Sequence, residues 1–186
     1  KRKLNILNII LIANLQKRKR VDIAIKIIAK LKKVTRFNIN LKIFGEKRKP
    51  IYLELIELVK KYDVQDNIKF MGSRFPIRPW ISNSDIMLVT AENEGLGRSI
   101  VEAMSLEVPV VASDHGGNNE IIENKKNGFL IKLEDIDGYV ETILKIKKNI
   151  KLKEMITKNA KKTVKRFSLK NHLAQINEVY NKLLTD

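Results

Sequence analysis

Residues 92–120 read ENEGLGRSIVEAMSLEVPVVASDHGGNNE. Glu94 stands in a glycine-flanked turn and is separated from Glu102 by seven residues. The pattern RSIVEAMSL predicts a helix over 98–106, and the apolar run that follows predicts a strand over 108–112. A second glycine turn, Gly116 and Gly117, leads into a short helix over 118–123 that contains Glu120. The preceding segment 85–90 is itself apolar, so the whole block is a strand, a glycine turn, a helix and a second strand. Two successive strands joined through a helix run parallel, and a parallel sheet carries helices on both faces.

The same alternation extends in both directions. Towards the amino end, strands are predicted over 5–13, 38–44 and 67–70, with helices over 21–33 and 50–62. In the first of these helices Val21, Ala24, Ile25, Ile28 and Leu31 recur at three- and four-residue steps. A short proline-containing segment over 76–83 precedes the strand at 85–90. Towards the carboxyl end, Asn127 and Gly128 open a last strand over 129–132. From residue 135 the chain reads as helical, in three pieces broken near 148–150 and 167–168. The expected class is α/β, a doubly wound, Rossmann-like parallel sheet with a helical C-terminal region, and the simplest count is one domain over 1–186.

Composition narrows the function classes. The 186 residues are 44% hydrophobic and 31% charged, enough for one sizeable core. No apolar run approaches the ~18 residues of a membrane span; the longest, 6–13, is interrupted by Asn8. With no cysteine there is no disulfide framework, and a cytoplasmic location is expected, extending to the inner face of a membrane. The net charge of +16 fits a nucleic acid or an anionic surface. Its lysines are widely spread, however, with runs at 17–20, 47–49 and 145–148, and aromatics are only 6%. A nucleic-acid binder interleaves charge with stacking rings, so a solvated face is the expected role of most of these lysines.

In an open parallel sheet, ligands bind beyond the carboxyl ends of the strands. Both glycine turns fall at that edge, where glycine permits positive φ and close backbone approach. The turn at Gly95 and Gly97 also feeds a helix N-terminus, which favours an anion such as a diphosphate. Glu102, about one turn into the helix, can accept hydrogen bonds from a vicinal diol such as that of ribose, while Glu94 faces another part of the ligand. The combination implies a phosphorylated, hydroxyl-rich ligand, a nucleotide-activated sugar. The loop at 14–20, NLQKRKR, lacks the G-x-G-x-x-G of a dinucleotide site, which argues against an NAD enzyme. Lys19 is its candidate phosphate ligand, with Lys17, Arg18 and Arg20 as competitors.

The block from Glu94 to Met104, followed by PVVAS at 109–113, GGNNE at 116–120 and NGF at 127–129, resembles the C-terminal, donor-binding domain of retaining GT-B glycosyltransferases of family four. The resemblance covers about residues 5–165. It implies one half of a GT-B fold, with the N-terminal acceptor domain absent from this chain, and thus a fragment of a longer protein. It implies transfer of a hexose from a nucleotide-diphosphate sugar to a glycan, lipid-linked or polysaccharide acceptor bound by the missing domain.

By the same resemblance Glu94 and Lys19 are the catalytic residues, Lys19 neutralising the diphosphate. Glu102, Gly95, Leu96, Gly97, Arg98, Ser99, Gly116 and Gly117 bind the donor, and no metal or other cofactor is expected. Two departures stand out. Asn14 replaces an arginine, leaving Arg18, Arg20 or Arg98 to substitute as the second phosphate cation, and Leu96 replaces an aromatic. Other readings are a nucleotide-sugar epimerase of related fold and a basic nucleic-acid-binding module; the donor reading expects no specific nucleic-acid partner but allows peripheral membrane contact through the lysines beyond 135.

The D-x-D formed by Asp135 and Asp137 starts a helix and is expected to cap it. His115 adjoins the second glycine turn, as donor contact or loop residue. His172 is expected to be structural and Trp80 to lie in the core.

Overall fold

The computed structural model describes residues 5–185, without the side chains of Leu169, Lys170, His172, Gln175 and Thr185; the structural role expected for His172 lies outside the described residues. Six strands form one sheet: β1 (Ile6–Ile12), β2 (Asn38–Phe44), β3 (Ile68–Gly72), β4 (Ile86–Val89), β5 (Val110–Ser113) and β6 (Phe129–Ile131). Their order is β3-β2-β1-β4-β5-β6, and every pairing is parallel. The chain winds outwards from β1 to β3, returns to the centre at β4 and winds the other way to β6. The doubly wound expectation is met, and its switch point lies between β1 and β4.

The helices are α1 (Val21–Val34), α2 (Ile51–Lys61), α3 (Arg78–Ser82), α4 (Arg98–Ser105), α5 (Asn118–Ile121), α6 (Ile136–Lys148), α7 (Ile150–Thr163) and α8 (Leu169–Thr185). Two apolar clusters form the core. Leu7, Ile9 and Leu11 of β1 point towards α1, α2 and α6, whereas Ile10 points towards α3, α4 and α7. Burial on both faces explains why β1 reads as an apolar run instead of an alternation. In α1 the buried set is wider than a single stripe, adding Ile23, Ile27 and Ala29, because the helix packs on the sheet and between α2 and α6. The C-terminal region therefore closes both layers, α6 beside α1 and α7 beside α4. On α8, by contrast, Val179, Tyr180, Leu183 and Leu184 are exposed.

Element ends differ from the sequence expectation by one or two residues, for local reasons. Residues 108–112 shift to Val110–Ser113, because Val108 and Pro109 serve as the entry to the strand, with Met87 donating to the Pro109 carbonyl at 2.9 Å. Proline has no N–H to offer a ladder. Trp80 departs from expectation. It is half-buried against the core, packing its ring on Phe44 at a centroid distance of 5.3 Å, with the Lys42 ammonium 4.9 Å from the ring centroid.

Candidate functional site

The switch point brings two loops together. The loop after β1 descends through the buried Leu15 into one 3-10 turn, Lys17–Lys19, and Arg20 then adopts φ 44° to start α1. The loop after β4 is stitched to it: Glu92 N–H donates to the Arg18 carbonyl at 2.7 Å, and the Thr90 hydroxyl donates to the Lys19 carbonyl at 3.1 Å. These bonds fix the main chain of Lys19 and aim its ammonium at Glu94, with which it forms an ion pair. The Arg18 guanidinium lies 4.0 Å from the same carboxylate oxygen. Arg20 does not join them. It turns to Asp22 and Glu134, at 3.1 and 2.6 Å, and its hydrogen bond to the Asp22 carboxylate strengthens its hold on its proton.

The glycines act differently from the expectation of positive φ in both turns. In the first turn only Asn93 takes a left-handed conformation, with φ 53°, and Gly97 has φ −69°. In the second turn Gly116 has φ 59°. There the requirement is steric as well: a Cβ on Gly116 would stand 2.7 Å from the Glu94 carbonyl oxygen, and one on Gly117 would stand 2.1 Å from that of Gly95. The second glycine turn is thus pressed against the back of the first, and Gly117 N–H donates to the Glu94 carbonyl at 2.7 Å. Further braces come from Ser113, whose hydroxyl donates to the Ala91 carbonyl and accepts from the Asn118 amide, and from His115, whose Nδ1 accepts the Asn93 N–H at 3.2 Å. Among the described residues the buried Asn118 Oδ1 has no hydrogen-bond partner, and a Cβ on Gly97 would stand 3.6 Å from it.

A cavity of about 470 Å³ opens above these loops. It brings together Lys19, Glu94, Leu96, Arg98, Ser99 and Glu102 from the sequence-derived set, together with Asn14 and Arg18. Gly97 borders a small void beneath, shared with Lys19, Glu94 and Ser99. Gly95, Gly116 and Gly117 do not line the cavity; the two later glycines hold Glu94 from behind. Of the cations offered in place of an arginine at position 14, Arg18 and Arg98 line the cavity and Arg20 does not. Asn14 itself is used structurally, its Oδ1 accepting the Glu46 N–H at 2.9 Å. Arg74, on the loop between β3 and α3, is a further lining cation that sequence reasoning missed. No motif marks it, and only the order of the sheet places its loop beside that of β1. Thr90 and Asn118 were missed for the same reason, since their role is to hold neighbouring loops.

A larger cavity, about 910 Å³, lies at the opposite, amino edge of the sheet, between Asn8, Asn40, Lys42, Trp80, Asp85 and Lys147. It has no glycine turn and no strand carboxyl end, so the smaller cavity is the better candidate site. Among the described residues no group of three or more His, Cys, Asp or Glu side chains is placed to hold a metal ion. Asp135 caps α6, accepting the Gly138 N–H at 2.9 Å, and Asp137 pairs with Lys30 at 3.1 Å. No helix among the described residues is long and apolar enough to cross a membrane.

Comparison with known proteins identifies similar chains. The chain is 27% identical over 176 residues to N-acetyl-alpha-D-glucosaminyl L-malate synthase of Bacillus anthracis, covering 94% of this chain and 45% of that protein. It is 29% identical over 129 residues to the Escherichia coli UDP-Gal:alpha-D-GlcNAc-diphosphoundecaprenol alpha-1,3-galactosyltransferase, covering 67% and 33%. Among solved structures, Anabaena Alr3699/HepE in complex with UDP-glucose superposes with a TM-score of 0.85 at 25% identity, over 95% of this chain and 49% of that one. The chain thus spans less than half the length of the relatives it matches. The sequence profile described as "Glycosyl transferases group 1" matches residues 3–163, most of the chain, and the protein belongs to that family.

Proposed function

We propose that this chain is the donor-binding domain of a retaining hexosyltransferase that takes a nucleotide-diphosphate sugar and delivers the sugar to a glycan, lipid-linked or polysaccharide acceptor. The observation that carries the reading is the cavity at the switch point, where Glu94 and Glu102 share one space with Lys19, Arg18, Arg98 and Arg74. Two carboxylates suit two groups of hydroxyls, and the cations between them suit a diphosphate. Glu102, exposed on the first turns of α4, accepts from the ribose diol, and Glu94 accepts from hydroxyls of the sugar. Lys19 and the arginines neutralise the charge that develops on the diphosphate as the bond between the sugar anomeric carbon and the phosphate oxygen breaks. The acceptor hydroxyl oxygen forms the new bond on the face the diphosphate leaves and gives its proton to the departing phosphate oxygen, so that the anomeric configuration is kept.

The acceptor belongs, in this reading, to a second domain outside these 186 residues, so the chain alone binds donor without transferring sugar at a useful rate. Calorimetric titration with UDP, GDP, ADP and the corresponding nucleotide sugars tests the proposal on the wild type and Glu102→Ala. One nucleotide is expected to bind, with the same affinity in EDTA, and the variant is expected to lose it. Salt-sensitive binding to RNA or DNA that survives Glu102→Ala, with no nucleotide binding, would replace this reading with that of a nucleic-acid module.

A further inference from the structure

The two site carboxylates are not in the same condition. Glu102 is exposed and makes no ion pair among the described residues, whereas Glu94 is already paired with Lys19, their side chains being only 19% and 13% exposed. The main chain of each partner is fixed by a hydrogen bond to its carbonyl. The Thr90 hydroxyl fixes the Lys19 carbonyl, and Gly117 N–H fixes the Glu94 carbonyl. The same lysine borders the cavity that receives the diphosphate.

We infer that the Lys19–Glu94 ion pair is a discriminator: it occupies both charges in the absence of ligand, opens for an intact nucleotide sugar, and disfavours the free nucleotide diphosphate that is left after transfer. The inference rests on the donor-site reading above. Any diphosphate that takes Lys19 leaves the Glu94 carboxylate without its partner. A nucleotide sugar compensates, because sugar hydroxyls donate to Glu94 and the sugar-bearing phosphate carries less charge. A free nucleotide diphosphate offers no such donors and sets a more highly charged terminal phosphate beside a bare carboxylate, which like-charge repulsion opposes. Once the sugar has left, Lys19 regains Glu94 as the diphosphate departs. Glu94 thereby serves product release as well as sugar binding, and Arg18, at 4.0 Å from the same oxygen, stands ready as a second partner.

The test is a titration of the full chain with UDP and UDP-glucose, comparing wild type with Glu94→Gln, which keeps the shape and hydrogen-bonding capacity of the side chain but removes its charge. The variant is expected to bind UDP more tightly than the wild type and UDP-glucose more weakly. The preference for UDP-glucose over UDP should fall by ~10- to 100-fold, the worth of one charge-assisted hydrogen bond. On a Lys19→Met background the same substitution should tighten UDP by less, because no ion pair is left to break and only the repulsion between phosphate and carboxylate is relieved. An unchanged preference, or tightening that is undiminished without Lys19, overturns the inference while nucleotide binding by the wild type leaves the donor-site reading standing. If the wild type prefers another base, the matching diphosphate and nucleotide sugar take the place of this pair. If no nucleotide of any base binds the wild type, the donor-site reading falls and this inference falls with it.

Discussion

The two edges of the sheet make opposite uses of the same strands. At the carboxyl edge the cavity is the smaller one, about 470 Å³, and is built from loops. At the amino edge it is about 910 Å³ and is lined mainly by residues of strands and helices. Charge separates the two more sharply than volume. At the amino edge Asp85 accepts the Asn8 N–H at 2.8 Å and pairs with Lys147 at 3.1 Å, and Lys147 donates in turn to the Ile6 carbonyl at 2.6 Å. At the carboxyl edge Arg74, Arg98 and Glu102 make no ion pair among the described residues, though all three face one cavity. The Lys19–Glu94 pair at the carboxyl edge thus has unpaired charges for neighbours, whereas the Asp85–Lys147 pair at the amino edge is tied to the backbone of β1.

The most severe way to break this contrast is at the glycine brace. Gly117→Ala would place a methyl 2.1 Å from the Gly95 carbonyl oxygen, a backbone contact that no side-chain rotation relieves. Glu94 and the start of α4 must shift together, so nucleotide affinity is expected to fall by more than ~100-fold, or ~3 kcal/mol. The far-UV circular dichroism of the sheet and helices should remain, because the brace lies in loops. Next in size is Glu102→Ala, which removes one carboxylate acceptor for about 2–3 kcal/mol of binding. As an exposed helical position, it should leave the melting temperature almost unchanged.

Trp80→Ala carries the comparison to the other edge. The half-buried ring packs on Phe44 and under Lys42, so its loss is expected to destabilise the protein by about 2 kcal/mol in urea denaturation. Nucleotide affinity should stay within twofold of the wild type. A large loss of affinity in this variant would mean that the two edges are not independent and that the amino-edge cavity belongs to the functional machinery.

Much of this was legible in the chain. Apolar runs bounded by glycine and proline located all six strands, and the separation of Glu94 from Glu102 pointed to two residues that line one candidate cavity. What the sequence could not convey was which loops become neighbours. Arg74 lies outside every motif, and it joins the cavity because β3, β2 and β1 are adjacent in the sheet. Gly116 and Gly117 were legible as a turn but not in their role. A glycine that cradles a phosphate and a glycine that admits another backbone look alike in one dimension, and only the positions of Glu94 and Gly95 tell them apart. Arg20 shows the converse. Its sequence neighbours Arg18 and Lys19 face the cavity, and it alone turns to Asp22 and Glu134, because its left-handed φ reverses the chain there.

The smallest expected effect sharpens the electrostatic side of the comparison. Lys147 is a cation like Lys19, is similarly sheltered with a side chain 16% exposed, and pairs with a carboxylate, Asp85, that is 18% exposed. The difference lies in what surrounds each pair. Asp85 also accepts a backbone N–H and Lys147 also donates to a backbone carbonyl, so the amino-edge pair is tied into the entry of β1 on both sides. Lys147→Met keeps the aliphatic stem and removes the charge. Stability should fall by about 1–2 kcal/mol, below the cost of breaking a fully buried pair because water still reaches both groups. Nucleotide affinity should not change. Lys19→Met should behave in the opposite manner, with little loss of stability and a large loss of binding. If both variants lost stability alike and neither altered binding, the Lys19–Glu94 pair would be one more structural salt bridge, and the distinction between the two edges would disappear.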